Sequence, residues 1–333
     1  MKTNSLILGA AVLMLATACS NDEVVKVAEN SQAIGFSSFI NNSTRAEDLN
    51  TTNLENFYVY GVTTGTTPIA VLFKDQLVEK KGNGEWSYSP EKYWITGNTY
   101  TFAAVAPAAV AEVDQSANMN GRGGINNLTF ANADGTVDLL YAEETEDNPV
   151  VFGQAYTFNF GHILSRVKFE FTNLMAEGYR IEVKAVTIDG TDSKAVYSPS
   201  TTSWTAASDN DKEKVYSLVP QDVKAEATGT STTEPSYLIP TEGARDLNVT
   251  FDVNLYFDDA DTKEPVLITT EPYKLTATLS GIELKRATSY LFKASITKEN
   301  LDNTLQPIKF NATVTDWGTD EPVEVPNFEA PQD

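Results

Sequence analysis

The sequence predicts an all-β protein with two β-sandwich domains in tandem. Three observations support this prediction: runs of alternating apolar and polar residues recur along the chain, turn signals separate them, and helical signals are sparse. Alternation with a period of two puts one face of a strand on a core and the other in water. The chain has 333 residues, enough for two domains of ordinary size after an N-terminal leader.

The first residues predict that leader. Lys2 is followed by an apolar segment, residues 6–18, which is too short to cross a bilayer as a permanent helix. Ala16-Thr17-Ala18 ends directly at Cys19, the single cysteine of the chain. Small residues before a cysteine are typical of a lipoprotein signal, so we expect residues 1–18 to be removed and Cys19 to be acylated. An ordinary signal peptide with an incidental cysteine is the alternative.

The residues after Cys19 predict the destination. Ser20-Asn21-Asp22-Glu23 places two acids directly behind the lipid, and this resembles the surface-export signal of lipoproteins in anaerobic Gram-negative bacteria. The same segment reads as a solvated tether, since acidic, polar segments stay disordered, and the two interpretations are compatible. We therefore expect the outer face of the outer membrane, with the lipid on Cys19 as the membrane contact.

Composition excludes several partners. With 46 acidic and 24 basic residues the net charge is -22, which repels phosphate backbones, so no nucleic-acid partner is expected. The mature chain has no second cysteine for a disulfide, so its stability must come from core packing.

The strands are predicted from the alternating runs. These runs, in chain order, are residues 33–40, 56–62, 100–105, 155–160, 166–171, 180–186, 247–255, 273–279, 289–296 and 308–314. Turns are predicted at Gly82-Asn83-Gly84, Asp134-Gly135, Asp189-Gly190 and Ser280-Gly281. Short turns of helix fit residues 110–117 and 174–176. A domain limit near residue 160 divides the body into residues 46–160 and 161–333.

Candidate catalytic chemistry is sparse. His162 is the single histidine and is expected to be structural, and a zinc site would need several such ligands. Asp258, Asp259 and Asp261 fit either a calcium site or, more simply, a solvated hairpin tip. Residues 121–124, Gly-Arg-Gly-Gly, lack a phosphate-binding pattern and are interpreted as a flexible loop. The sequence therefore predicts no enzyme, no metal and no cofactor.

One arrangement of residues near the N-terminus suggests a mechanism. Ile34, Phe36 and Ile40 lie on one face of a predicted strand, and a polar link follows it up to Arg45-Ala46. An arginine-specific protease acting there would remove lipid, tether and strand together. The sandwich would keep an empty apolar groove and an unpaired edge, which recruits a strand from another molecule. Alternatively, Arg45 is an arbitrary loop residue and the strand simply belongs to the first sheet.

An ordered series of motifs resembles a known family. The series is Thr44-Arg45-Ala46, residues 86–94 (Trp-Ser-Tyr-Ser-Pro-Glu-Lys-Tyr-Trp) before residues 100–104, Asp138-Leu139-Leu140-Tyr141-Ala142, and residues 160–167 (Phe-Gly-His-Ile-Leu-Ser-Arg-Val). In this order the motifs are similar to those of the fimbrillin family, the subunits of type V pili. The resemblance spans nearly the whole mature chain.

The resemblance implies a fold and a route of export, processing and assembly. Fimbrillins have two transthyretin-like β-sandwich domains, travel as lipoproteins and are cut after an arginine by a gingipain-like protease. They then polymerise by donor-strand exchange, in which the C-terminal segment of one subunit fills the groove of the next. Arg45 and Ala46 match the cleavage position, and residues 34–40 match the removed strand, so residues 19–45 form the tether and propeptide. The implied product is an adhesive fimbria whose partners are other pilus subunits.

Two points stay open at this stage. The donor strand is either the run containing Ile308, Phe310 and Val314 or the later Val323 and Val325. The rival function is a surface glycan-binding lipoprotein that stays anchored by its lipid. In that case the aromatic residues Trp86, Tyr88, Tyr93 and Trp94 would stack on sugar rings, whereas their spacing around Pro90 equally fits the closing of a core edge.

Overall fold

A computed structural model of the chain describes residues 33–40, 48–64, 70–95, 98–116, 121–132, 134–143, 155–208, 214–217, 223–225, 229–301, 308–317 and 322–323. The strands of this described part are β1 (Gly35–Ile40), β2 (Asn56–Thr64), β3 (Ala70–Lys80), β4 (Trp86–Ser87), β5 (Thr99–Ala106), β6 (Ala111–Gln115), β7 (Ile125–Ala131), β8 (Leu140–Glu143), β9 (Ala155–His162), β10 (Ser165–Asn173), β11 (Tyr179–Thr191), β12 (Lys194–Ser198), β13 (Ser203–Ala206), β14 (Lys214–Ser217), β15 (Val223–Ala225), β16 (Thr230–Thr232), β17 (Ser236–Leu238), β18 (Arg245–Asp258), β19 (Pro265–Leu267), β20 (Tyr273–Ile282), β21 (Thr288–Ile296), β22 (Phe310–Asp316) and β23 (Pro322–Val323). A four-residue helix, α1 (Lys298–Leu301), and a 3-10 turn (Arg122–Gly124) complete the described elements.

The all-β prediction is confirmed. The ten alternating runs correspond to β1, β2, β5, β9, β10, β11, β18, β20, β21 and β22. Among the residues that the structure describes, no helix combines the length and apolarity that a membrane crossing requires.

Several local predictions are wrong, including the helical turn at residues 174–176, which is not helical. Asp189-Gly190 and Ser280-Gly281 are not turns but lie inside β11 and β20. Both glycines have positive φ, 103° for Gly190 and 68° for Gly281. The β11 register shifts between Ile188 and Thr191, as expected for a bulge. The predicted helical turn at residues 110–117 is strand β6 over Ala111–Gln115.

A seven-stranded sheet forms the amino-terminal part of the fold. Its strand order is β1-β9-β8-β5-β2-β3-β4. All strand residues of one hydrophobic core, termed the amino-terminal core, come from this sheet, so the sheet curls around its own core. The members of the amino-terminal core are Ile34, Phe36, Ile40, Leu54, Phe57, Val59, Phe73, Val78, Trp86, Trp94, Tyr100, Phe102, Ala104, Ala106, Leu140, Ala142, Phe158 and Phe160. A bridge between Ala33 and Tyr93 brings the two ends of the sheet together.

A four-stranded sheet, β13-β12-β7-β6, covers the other face of this sheet. Between them lies a middle core that includes Tyr60, Val105, Phe130, Tyr197 and Trp204. The four-stranded sheet takes strands from both sides of residue 160, and β9 runs across that residue. The domain limit near residue 160 stays a prediction.

The carboxy-terminal part is a two-sheet sandwich. β10 pairs in parallel with β21 over nine residues and continues through β22 to β23. The facing sheet is built on β11, β18 and β20. Between the two sheets, Phe169 and Phe171 of β10 pack in one core with Phe251 of β18 and Phe292 of β21. This is the carboxy-terminal core.

The Gly-Arg-Gly-Gly segment was interpreted as a flexible loop, and this is wrong. It forms the 3-10 turn against β2 and β5, with buried Gly123 and Gly124. A Cβ on Gly123 would lie 2.4 Å from the Tyr60 carbonyl oxygen, and its φ is +59°. Only glycine permits this backbone approach.

The cross-strand environment of Glu182 predicts a pH dependence of stability. Burial raises the pKa of this carboxyl, but bonds from Asn254, Tyr256 and Lys184 outweigh burial and lower it from 4.5 to about 2. A lowered pKa stabilises the fold above pH 4.5, and that stabilisation is lost as pH falls from 4.5 to about 2. We expect Glu182→Gln to reduce the free energy of unfolding by up to about 3 kcal/mol at pH 7.

Urea unfolding of both proteins between pH 7 and pH 3 measures this difference, which should shrink below pH 4.5. The matched control is Glu79→Gln, because Glu79 is about half exposed and its partner Lys81 equally so. A Glu182→Gln penalty that is unchanged at pH 3 would contradict the assignment.

Candidate functional site

The first strand is the candidate site. β1 is the terminal strand of the seven-stranded sheet, and it pairs in parallel with β9 from Gly35 opposite Ala155 to Ile40 opposite Phe160. A terminal strand has one paired edge, so it can leave without disrupting the other ladders of its sheet. The strand that the sequence placed before Arg45 is therefore held by one ladder along β9, by its side chains and by a few contacts at its ends.

The inward side chains of β1 complete the amino-terminal core. Ile34, Phe36 and Ile40 are each exposed by 3% or less. The Phe36 ring lies 5.3–5.7 Å, between ring centroids, from four aromatic rings, which belong to Phe73, Tyr88, Phe102 and Phe158. The groove lined by these four rings is termed the seat of β1. Burial of each apolar side chain of this size contributes about 1.5–3 kcal/mol.

Polar contacts fix the strand at both ends. The Ile34 N–H donates to the Lys92 carbonyl at 2.8 Å, and the Tyr88 hydroxyl donates to the Ile34 carbonyl at 2.7 Å. Burial raises the pKa of Tyr88 to about 12, so this hydroxyl remains a donor at neutral pH. At the other end the Ile40 N–H donates to Thr51 Oγ1 at 3.0 Å. These contacts set the register of β1 in its seat.

The chain beyond the link has a separate anchor. Arg45 and Ala46 lie outside the described residues, as do Cys19 and the leader, and the description resumes at Asp48. Asp48 is buried and accepts from Arg166 Nε at 2.7 Å and from the Tyr237 hydroxyl at 3.1 Å. Breaking a buried ion pair costs about 3–5 kcal/mol. The fold thus holds residue 48 independently of β1.

His162 belongs to the same buried region. Its Nδ1 lies 3.0 Å from Asp138 Oδ2, and its ring stacks on Trp317 with centroids 4.0 Å apart. Trp317 also stacks on Tyr237. Burial raises the pKa of Asp138 and outweighs the contact with His162, which lowers it. Asp138, His162 and Trp317 lie where the ends of β9 and β22 meet, and this region is termed the junction. His162 is buried there at 5% exposure.

The acidic cluster of the sequence is a hairpin tip. Asp258 pairs with Arg180 at 2.7 Å, and Asp259 accepts from the backbone of Asp261 and Thr262. Their carboxylates thus have protein partners. Across the described ranges, no group of three or more His, Cys, Asp or Glu residues is arranged to hold a metal ion.

The two donor candidates differ in their contacts. Phe310 of β22 packs within 6.2 Å, between ring centroids, of Phe169, Phe171 and Phe251, and Ile308 is buried beside it. These contacts place the earlier candidate, including Val314, at the carboxy-terminal core. Val323 pairs with Val314 in the two-residue strand β23, and Val325 lies outside the described residues.

The aromatic motif at residues 86–94 is packed inward. Trp86 and Trp94 are buried at 5% and 8% exposure and belong to the amino-terminal core, and Tyr88 is bonded to Ile34. Of the four aromatic residues in this motif, only Tyr93 is exposed, at 56%. Three of the four rings are therefore occupied by the protein itself and do not form a platform for sugars.

The fold and the site define a class: an all-β protein whose first core is completed by a strand at the very start of the described chain. A model of the fimbrillin-like family matches residues 44–317. Because this match covers most of the 333 residues, the chain belongs to the fimbrillin-like family. It is a fimbrial or cell-adhesion protein of the Bacteroidetes type, and the family is structural and not enzymatic.

Several solved structures are similar to this chain to different degrees. A fimbrial protein from Bacteroides vulgatus is 16% identical with a TM-score of 0.59, over 86% of this chain and 99% of that chain. A Bacteroides ovatus protein assigned to cell adhesion is 16% identical with a TM-score of 0.51, over 87% and 99%. The fimbrial anchor protein Mfa2 from Porphyromonas gingivalis is 14% identical with a TM-score of 0.37, over 86% and 98%. Among curated proteins, none matches this chain.

The two faces of β1 generate a prediction for the full-length chain. Phe36→Asp places an unpaired carboxylate among four rings, so we expect it to lower the free energy of unfolding by more than about 3 kcal/mol. The matched control is Phe39→Asp on the same strand, where Phe39 is 37% exposed, and its cost should stay below about 1 kcal/mol. Equal melting temperatures for the two variants would show that β1 does not stabilise the full-length chain.

Proposed function

We propose that this chain is the precursor of a fimbrial subunit that is exported as a lipoprotein, cut after Arg45 and polymerised by donor-strand exchange. The observation that carries the proposal is the seat of β1. A strand from the chain's N-terminal side completes a core, holds to its sheet by one edge, and continues into a seven-residue link, residues 41–47, that contains Arg45. Cleavage in that link would break the covalent connection between the strand and the rest of the fold.

The anchor at Asp48 supports this order of events. Asp48 is three residues beyond Arg45 and is held by Arg166 and Tyr237 in the junction region. The new N-terminus would remain fixed while the upstream segment leaves. The remainder of the sandwich would keep its register, and the seat would be left apolar and open.

We assign the donor to the tail that begins after Trp317. Withdrawing β22 would uncover Phe169, Phe171 and Phe251, which Phe310 contacts. In contrast, the two residues of β23 that the structure describes make two residue pairs with β22. A donor strand should give up few contacts in its own subunit and form a complete backbone hydrogen-bond ladder in the neighbouring subunit. The tail meets the first condition. Apolar Val323 and Val325 alternate along it, as a groove-filling strand requires.

The remaining features follow from the same proposal. Residues 1–18 are the signal peptide, Cys19 carries the lipid until cleavage, and an arginine-specific protease is the processing partner. The subunit is delivered to the outer membrane surface before it joins the fimbria. The contact made by strand exchange is head-to-tail, so it builds an open filament.

Processing at Arg45 is tested by substitution. Arg45→Ala should leave export and the melting temperature unchanged, because the residue lies in a polar link, but should trap a lipidated precursor. N-terminal sequencing of the surface form should find Ala46 first in the wild type and not in the variant, and high-molecular-weight ladders should disappear. Arg286→Ala is the control, since Arg286 is an exposed arginine elsewhere in the chain. Ladders equal to wild type from Arg45→Ala would show that cleavage there is not needed.

The donor is tested by truncation. Deleting residues 318–333 removes β23 and the tail but keeps Trp317 and β22. We expect a monomer that is processed and melts within a few degrees of wild type, yet forms no polymers by electron microscopy. Unchanged polymers would exclude the tail as donor, and an unfolded monomer would show that the tail is integral to the carboxy-terminal sandwich.

A further inference from the structure

One of the side chains that β1 directs towards the amino-terminal core is polar. Ile34, Phe36 and Ile40 belong to that core, and Ser38 lies between the last two with the same period of two. On the parallel strand β9, Ser38 is paired with Phe158, which is a residue of the same core, and paired residues of neighbouring strands share a face. Ser38 therefore lies in the seat of β1 among large apolar side chains.

The Ser38 hydroxyl is buried without a hydrogen bond. Ser38 is 7% exposed, and no group in the described part of the chain bonds to its Oγ. The adjacent Ser37 is also buried, but on the opposite face of β1, and its Oγ lies 2.7 Å from Thr157 Oγ1 on β9. A buried hydroxyl without a partner costs free energy because it has given up its bonds to water. Of these two serines, only Ser38 weakens the strand that carries it.

The position of Ser38 in the chain distinguishes it from other unpaired groups of this core. Trp86 and Trp94 also bury a side-chain N–H that no described group accepts, but they lie beyond Arg45 and would stay in the fold after cleavage. Ser38 lies before Arg45, on the strand that cleavage would release. Compared with an apolar residue, the serine disfavours β1 in its seat and leaves the seat itself unchanged. Positions that break a packing rule in this way are expected where function requires them.

We propose that the position of Ser38 is a subsite of the seat for an apolar side chain, and that the serine makes β1 the replaceable occupant of the seat. The final occupant is the donor strand of another subunit, with an apolar side chain at this position. This inference rests on the proposed function, because it concerns the strand that leaves and the strand that replaces it. Any strand in the seat can bond to the backbone of β9, so the side chains decide which strand is retained.

Two substitutions of equal shape isolate the effect of the hydroxyl. Valine and threonine are both β-branched and both favour strands, so Ser38→Val and Ser38→Thr differ only by a methyl group in place of a hydroxyl. In the full-length chain, Ser38→Val should melt about 3 °C or more above Ser38→Thr. The matched control is the same pair at Ser37, where the order should reverse, because threonine can keep the bond to Thr157 and valine cannot.

Release of the cut strand and growth of filaments measure the consequence for assembly. Each variant is cut with an arginine-specific protease, and mass spectrometry follows how long the released segment co-purifies with the subunit. The segment should stay bound about five times longer with Ser38→Val than with Ser38→Thr, which corresponds to one buried hydroxyl without a partner. At an equal extent of cleavage, filaments of Ser38→Val should grow about five times more slowly, because the donor must displace a better occupant.

Three results would contradict the inference at different points. A melting temperature of Ser38→Val that does not exceed that of Ser38→Thr would show that the subsite is not apolar. Equal release and equal growth of the two variants would overturn the role of Ser38 in exchange, while strand exchange itself stands. If the wild type is not cut after Arg45, or the cut protein forms no filaments, the proposed function fails, and the role of Ser38 in exchange fails with it. The melting comparison uses uncut chains, so it separates this last failure from a failure of the subsite.

Discussion

The packing of Phe36 among four aromatic rings is the interaction on which the amino-terminal part of the structure depends. Those rings come from β3, β5, β9 and the segment after β4, so one inserted side chain connects elements across the curled sheet. With Ile34 and Ile40, the strand contributes about 5–9 kcal/mol by burial. This is comparable with the net stability of a whole domain, about 5–15 kcal/mol. An emptied seat would therefore leave this core in need of another strand.

A group of buried polar residues at the junction holds the chain in place without any contribution from β1. Arg166 and Tyr237 both donate to Asp48 where the amino-terminal chain meets the carboxy-terminal sandwich, and His162 and Trp317 stack beside them. Burying ions adds little net stability, but an unpaired partner is costly, so such a pair favours one arrangement over its alternatives. The junction fixes where the chain resumes after the link, whatever occupies the seat.

The strands and the inward residues of β1 were predictable because a period of two is a local property of the sequence. The residues and strands with which these elements pair could not be predicted. β1 pairs with β9 about 120 residues away, and Arg166 meets Asp48 across a similar separation, and neither contact leaves a local pattern. Gly190 and Gly281 were misinterpreted because a glycine marks a bulge and a turn alike. The rigid turn at Gly123 depends on the distant Tyr60 carbonyl, which its own neighbours do not reveal.

The link explains why cleavage would control assembly. In the precursor the seat is filled by a strand joined to its own fold through seven residues, so its effective concentration is of the order of millimolar. A tail from another subunit, at the concentrations of a free protein, cannot displace it while that covalent connection lasts. After the proposed cleavage the same strand would be a separate ligand, held by non-covalent contacts, and its dissociation would be irreversible. Assembly would then be driven by a donor that the filament itself supplies.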